Sequence, residues 1–282
     1  MKIYPIGTPL REYPQYRDLA DDALAAFGPP LTNGLPPAKD ARELIGGRRL
    51  FYVRNRDHLL VFSAHIGCYR LYFAAREDAV LLLPPTRMPV VAELAREGAA
   101  DLPQCDALMA RSAFALERVD VRMERALDDS LCQEQYLPDG IPRCAAPDYA
   151  MTGEYYKINT LLRTVFDPLL DALPGRDELM RMILDGLVYV IRDQEKIAAV
   201  MVYALQGDTA VPRFAAVDFA YRAQNLGGLL HWYGDRELRG KGLRQAALWA
   251  GEKSAGWLRT LEERGYRRTG QRRFTYVRRP QQ

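Results

Sequence analysis

Apolar residues recur at helical spacing over residues 10–27, and the run stops at Gly28-Pro29-Pro30, so the pattern predicts a first helix. A loop rich in proline and glycine follows through Gly34-Leu35-Pro36-Pro37. Residues 50–54, 59–64 and 68–75 read as strands, with 79–83 as a fourth. Residues 89–98 read as a short helix, and 105–116 are apolar at mixed spacing that fits neither period. The pattern lapses between 127 and 147, where Pro138-Asp139-Gly140, Pro142 and Ala145-Ala146-Pro147 suggest an exposed connection. A boundary near Pro142 would divide the chain into domains 1–142 and 143–282.

Beyond it, 155–173 and 177–184 read as helices, stopped by Pro174-Gly175 and Asp185-Gly186. Residues 187–191 and 197–204 form a hairpin pattern around Arg192-Asp193-Gln194-Glu195, and 214–219 is the next strand. Then come a helix over 227–241, a strand over 243–250, a helix over 255–264 and a strand over 272–278. This order predicts an α/β fold with a mixed sheet and helices on its faces. The hairpin pattern at 50–62 echoes that at 187–200, which suggests two related halves, the first lacking the feature described below.

Composition narrows the function classes. The 282 residues are about two domains' worth, 48% are hydrophobic, and the formal charge of +3 is too small to argue for nucleic acid or a membrane surface. Met1 to Gly7 lacks the apolar stretch of a signal peptide, and no apolar run is long enough to span a bilayer, so a cytoplasmic location is expected. Cys68, Cys105, Cys132 and Cys144 are not spaced with His58, His65 and His231 as a metal set, so no metal is expected.

Candidate chemistry concentrates in Val217-Asp218-Phe219-Ala220-Tyr221-Arg222-Ala223-Gln224-Asn225-Leu226-Gly227-Gly228-Leu229. A strand ends, a turn with small and left-handed-tolerant residues follows, and a helix opens at once. Such a junction aims backbone N–H groups and the positive end of a helix dipole at one spot, which suits a phosphate.

With Arg222-x-x-Asn225-x-Gly227 after Val217-Asp218-Phe219-Ala220-Tyr221, with Gly242, Leu248-Trp249 and Gly265-Tyr266 beyond it, this stretch resembles the GNAT superfamily of N-acetyltransferases. The resemblance covers the last third of the chain well. It implies an acyl-CoA cosubstrate bound by Phe219, Tyr221, Arg222, Gln224, Asn225, Leu226, Gly227, Gly228, Leu229 and Ser254, with the amides of the loop on its pyrophosphate. It also implies a small-molecule or peptide amine as acceptor, and Asp218 as the one carboxylate on the strand that offers a general base. The N–H of Phe219 would stabilise the thioester oxygen.

Three residues depart from the family pattern. Asn225 replaces the loop's first glycine, Ser254 an asparagine, and Leu261 the tyrosine that acts as general acid. A turn role for Asp218 is the competing reading, and His231 and Tyr233 read as packing or surface residues. Two alternatives follow: an aminoacyl-tRNA-dependent transferase with tandem GNAT-like domains, and a binding module without turnover. The arginine-rich stretch Arg264, Arg267, Arg268, Arg272, Arg273, Arg278 and Arg279 reads as a solvated edge strand, or else as an attractor of phosphate or RNA.

Overall fold

The structure, a computed structural model, describes residues 6–27, 30–97, 102–128 and 146–280. The boundary expected near Pro142 lies outside the described residues. Two compact units emerge: Met1–Val121 together with Gly270–Gln282, and Arg122–Thr269. The chain crosses between them along two strands, β7 (Ala115–Ala126) and β13 (Arg267–Arg278).

The first unit holds β1 (Thr8–Pro9), α1 (Tyr13–Phe27), β2 (Leu31–Thr32), α2 (Ala38–Gly46), β3 (Leu50–Arg54), β4 (His58–His65), β5 (Cys68–Ala75), β6 (Val90–Glu97) and α3 (Leu102–Arg111). Strands β3, β4 and β5 form an antiparallel meander. Its first turn is set by the Asn55 carboxamide, which accepts from the N–H groups of Asp57 (2.9 Å) and His58 (2.8 Å). Alternation sorts the side chains. Phe62, Leu71, Phe73, Ala92, Leu94 and Phe274 pack toward Leu108 and Met109 of α3, while Leu50, Leu59, Val61 and Ala74 pack toward α1 and α2.

Several expectations fail here for identifiable reasons. Residues 89–98 read as a helix because Ala-Glu-Leu-Ala-Arg-Glu has high helix propensity, yet they form β6. That strand runs parallel to β5 from Tyr69↔Val90 to Leu71↔Ala92 and antiparallel to β13 from Gln271↔Glu97 to Arg278↔Val90. Pairing on both edges outweighs local preference. Residues 79–83 alternate like a strand, with Ala79 and Leu81 buried and Val80 and Leu82 exposed, but no strand pairs with them. The Leu81 N–H donates instead to the Ser112 hydroxyl at 2.9 Å. The arginine-rich C-terminal stretch is no solvated edge. Its Phe274, Thr275, Tyr276 and Val277 are buried, and Arg273 pairs with the buried Asp120 at 2.8 Å.

The second unit holds β8 (Pro147–Tyr149), α4 (Tyr155–Val165), α5 (Arg176–Leu184), β9 (Val188–Asp193), β10 (Lys196–Gln206), β11 (Thr209–Val217), α6 (Leu226–Gly240), β12 (Gln245–Gly251) and α7 (Ala255–Glu263). The helix expected over 155–173 ends at Val165, just ahead of Asp167-Pro168, because proline disfavours helical backbone in the residue before it. Strand β11 begins five residues earlier than its pattern suggested. Pro212 masks the start, and it is tolerated because the β10–β11 register shifts at Val202/Tyr203, where Tyr203 faces Pro212. Ile158, Leu162, Leu179 and Ile183 of α4 and α5 pack on Val188, Val200, Val202 and Phe214. Helix α6 approaches Tyr203 so closely that a methyl group on Gly234 would lie 2.6 Å from the Tyr203 ring.

One feature of this sheet positions the site. Parallel strands β11 and β12 are in register only at Thr209↔Gln245 and Ala210↔Ala246, their first residues. Beyond that point they part, and β11 runs on to Val217 with no ladder partner on its β12 side among the described residues.

Candidate functional site

The loop at the open end of β11 is built by local hydrogen bonds and strained backbone. Asp218 caps a short 3₁₀ turn, Phe219–Tyr221, by accepting from the Ala220 N–H at 2.9 Å. Two residues that follow take left-handed backbone, Ala223 (φ 72°) and Asn225 (φ 54°). Alanine gains nothing locally from that conformation, which costs roughly 1–2 kcal/mol, and such strain concentrates at ligand-binding loops. The sequence left-handed Asn225, right-handed Leu226 forms a concave row of N–H groups, the geometry of an anion nest.

Helix α6 starts there. The Asn225 carbonyl accepts from Gly228 (3.0 Å) and Leu229 (3.1 Å), so the helix's own carbonyls leave the N–H groups of Leu226 and Gly227 free. No side chain caps this end. The Asn225 carboxamide lies instead over Gly228, together with Arg264 Nη2, and a methyl group on Gly228 would collide with both. A side chain at 228 would have to displace the ends of these two side chains, while the backbone there is ordinary helix.

The sequence-derived residues divide in two. Arg222, Gln224 and Asn225 are exposed around the nest, and Gly227 is half-buried against Val217. Leu226, Gly228 and Leu229 are buried and anchor the helix, so they offer backbone alone. Phe219 is 80% exposed with the Arg222 guanidinium 5.1 Å from its ring centre. The Tyr221 hydroxyl donates to Asp193 at 2.6 Å, and that bond raises its pKa. Ser254 is exposed at the start of α7 and makes no capping bond. Leu261 is wholly buried in the core.

The amide facing the splayed strands is Val217's, and Phe219, expected to supply it, lies outside the strand in the 3₁₀ turn. The Asp218 N–H donates to Ala198 on β10 at 2.9 Å. Alternation along the strand therefore turns the backbone groups of Ala215 and Val217 the other way, toward β12. Sequence cannot reveal which edge of a strand lacks a partner.

Beneath the loop lies a buried polar cluster that sequence reasoning missed. His231 and Asp235, one helical turn apart on α6, are 1% and 0% exposed. Asp235 accepts from the Tyr203 hydroxyl at 2.9 Å and sits 3.4 Å from Arg125, while the Tyr266 hydroxyl stands 3.3 Å from His231 Nε2. Burial pushes the His231 pKa down to about 4; Asp235 opposes the shift, and Arg264 and Arg125 add to it. The i, i+4 spacing of His231 and Asp235 on α6 was the one available signal.

By sequence, the chain matches no family profile and no curated protein. Its structure matches many solved ones. A GCN5-related N-acetyltransferase from Sphaerobacter thermophilus superposes with TM-score 0.54 at 12% identity, over 97% of this chain and 94% of that one. A tandem GNAT protein from the clavulanic acid biosynthesis pathway gives 0.53 at 15% identity, over 96% and 97%. The chain has the GCN5-related N-acetyltransferase fold. A protein named as a putative acetyltransferase from the GNAT family, from Novosphingobium aromaticivorans, gives 0.51 at 14% identity over 86% and 93%. At such identities the likeness is one of fold. The GNAT plan of an antiparallel meander followed by a diverging parallel strand is present in each unit, as β3-β4-β5 then β6 and as β9-β10-β11 then β12.

The donor set in the second unit fits an anionic group such as a phosphate. It offers unclaimed amides, a cationic side chain at Arg222 and an unpaired strand edge, and the one carboxylate within the loop, Asp218, is engaged by Ala220. Among the described residues no group of acidic, histidine and cysteine side chains is arranged to hold a metal, and no helix is long and apolar enough to cross a membrane.

Proposed function

We propose that this protein is an acyl-CoA-dependent N-acyltransferase whose donor site is the splayed edge of β11 and the loop Arg222 to Leu229. The observation that carries the reading is the coincidence of the two: the stretch of β11 that, among the described residues, lacks a partner on its β12 side leads into the nest at the start of α6. Acyl-CoA supplies a thioester whose carbonyl carbon is open to attack by a neutral primary amine, with a thiolate as leaving group.

The chain's own residues would act as follows. Leu226 and Gly227 present N–H groups, and Arg222 presents charge, toward the diphosphate. Val217 directs its N–H into the splay, where it can stabilise oxyanion charge; removal of one such donor typically costs about 10²–10³ in rate. Asp218 shapes the turn, and its carboxylate is the nearest base along the chain. Leu261 donates no proton, so the thiolate leaves without help from that position. A missing general acid costs on the order of 10²–10⁴ in rate and leaves residual activity.

The test is thiol release from acetyl-CoA and longer acyl-CoAs over a panel of small-molecule and peptide amines. Release with one acceptor class supports the reading, and absence of acetyl-CoA binding at millimolar concentration overturns it. The buried Leu261 favours a second reading, a CoA-binding module without turnover; binding with no release across the panel would select it. Acyl transfer from aminoacyl-tRNA has less support, since Arg268, Arg273 and Arg279 of the basic stretch are engaged by Glu262, Asp120 and Glu117.

A further inference from the structure

The first unit repeats the GNAT plan, and its own chain fills the place where the second unit is open. Strand β5 is paired along its whole length with β4, from His65↔Cys68 to His58↔Ala75. Its other edge meets β6 in parallel only as far as Leu71↔Ala92, after which β5 and β6 diverge as β11 and β12 do. Into that gap comes β2, which pairs antiparallel with β5 at Leu31↔Ala75 and Thr32↔Ala74.

Side chains extend the pairing where the backbone of β2 stops. The Thr32 hydroxyl donates to the Phe73 carbonyl at 2.6 Å. The Asn33 carboxamide behaves like a peptide unit: its Nδ2 donates to the Leu71 carbonyl at 2.7 Å and its Oδ1 accepts from the Phe73 N–H at 2.8 Å. From the far side of the gap, Arg96 of β6 donates to the Thr32 carbonyl at 2.5 Å. Every hydrogen-bonding group of β5 between Leu71 and Ala75 that faces β6 thus meets a partner from the chain itself. The connection from Arg76 to Pro89 also contains no helix, so nothing there presents free N–H groups to a phosphate as α6 does.

We infer that Leu31, Thr32 and Asn33 occupy the first unit's ligand edge as a built-in strand, so that each chain carries one acyl-CoA site, in the second unit. This rests on the reading of the second unit as an acyl-CoA site. It also assigns a job to a segment whose composition reads only as a loop: Thr32 and Asn33 are selected to finish a strand edge that a polar ligand would otherwise take. An unfilled edge is a liability for pairing with other chains, and filling it removes that hazard as well.

The test uses the full-length chain. Titration calorimetry with acetyl-CoA should give one site per chain, and Arg222→Glu combined with Asn225→Asp should weaken that site at least 100-fold and uncover no second one. Two sites in the wild type, or an unweakened site in that double variant, would overturn the inference. If the wild type binds no acetyl-CoA, the proposed function fails, and the built-in strand is then judged by hydrogen exchange. The Phe73 amide should be protected in the wild type and exchange at least 100-fold faster in Asn33→Gly. Exchange of Phe73 at an open-edge rate in the wild type would refute the built-in strand whatever the calorimetry shows.

Discussion

Acidification should destabilise the second unit through His231. The imidazole is 1% exposed, with Asp235 Oδ2 3.8 Å from Nδ1, the Tyr266 hydroxyl 3.3 Å from Nε2, the Trp257 ring against it, and Arg125 and Arg264 acting on it as cations. Its pKa falls from 6.5 to about 4, with burial as the largest cause. Between those values the unfolded chain binds a proton that the native state refuses, so stability is intact above the unfolded pKa and declines as pH falls toward the native one. At 1.36 kcal/mol per pH unit the full effect is about 3 kcal/mol, of which about 2 kcal/mol is already lost at pH 5. All three tryptophans, Trp232, Trp249 and Trp257, lie in this unit, so their fluorescence follows its unfolding alone. Urea titrations at pH 7.5 and pH 5.0 on the wild type and His231→Gln isolate the histidine, because the other titrating groups are common to both proteins. The wild type should lose about 2 kcal/mol more than the variant over this interval. Equal losses would refute the assignment of His231 as a buried neutral base.

Three substitutions probe the packing around the site. Gly234→Ala should destabilise the second unit by about 1–3 kcal/mol despite better helix propensity, because the Tyr203 ring is fully buried and has no room to yield; urea midpoints measure it. Ala223→Gly should raise stability by about 1 kcal/mol by relieving the left-handed alanine, while acetyl-CoA affinity by calorimetry stays within about threefold. Leu261→Tyr restores the family's residue type at a wholly buried position, so it should lower thermal stability by about 1–3 kcal/mol without raising the rate of thiol release.

Much of the second unit was legible in its pattern, because its elements from β9 onward have a clear local period. The order of strands and helices from β9 to β13 and the place of the loop followed from apolar spacing and from the residues between Val217 and Leu229. What was not legible depends on distant partners. Residues 90–97 look helical in isolation and become β6 because β5 and β13 flank them. The charged segment Ala115–Ala126 carries no strand pattern, yet it forms β7, where Asp120 is buried beside Arg273 and Arg118. The role of Val217 came from knowing which edge of β11 is unpaired, and the Asp235 cluster from four elements meeting that are separated by up to 141 positions in a chain whose local spacing reports none of them.

The exchange of closing strands has a consequence for any attempt to study one half alone. In the first unit β6 is completed by Gln271–Arg278 of β13, and in the second unit Arg122–Ala126 of β7 lies beside β12, where Gln245 donates to Glu124 at 3.0 Å and the Leu127 N–H donates to Arg244 at 2.8 Å. Cutting between residues 142 and 143 therefore gives neither fragment its full sheet. Fragment 143–282 would keep Phe274, Tyr276 and Val277, which are 7%, 3% and 2% exposed in the whole chain, without the β6 ladder that buries them. An unpaired apolar strand of this kind seeks other chains. The fragment should elute as an oligomer or aggregate in size-exclusion chromatography, and co-expression with fragment 1–142 should restore a defined complex. A monomeric fragment 143–282 with a cooperative urea transition would show that the exchanged strands are dispensable, and the argument from pairing would fall.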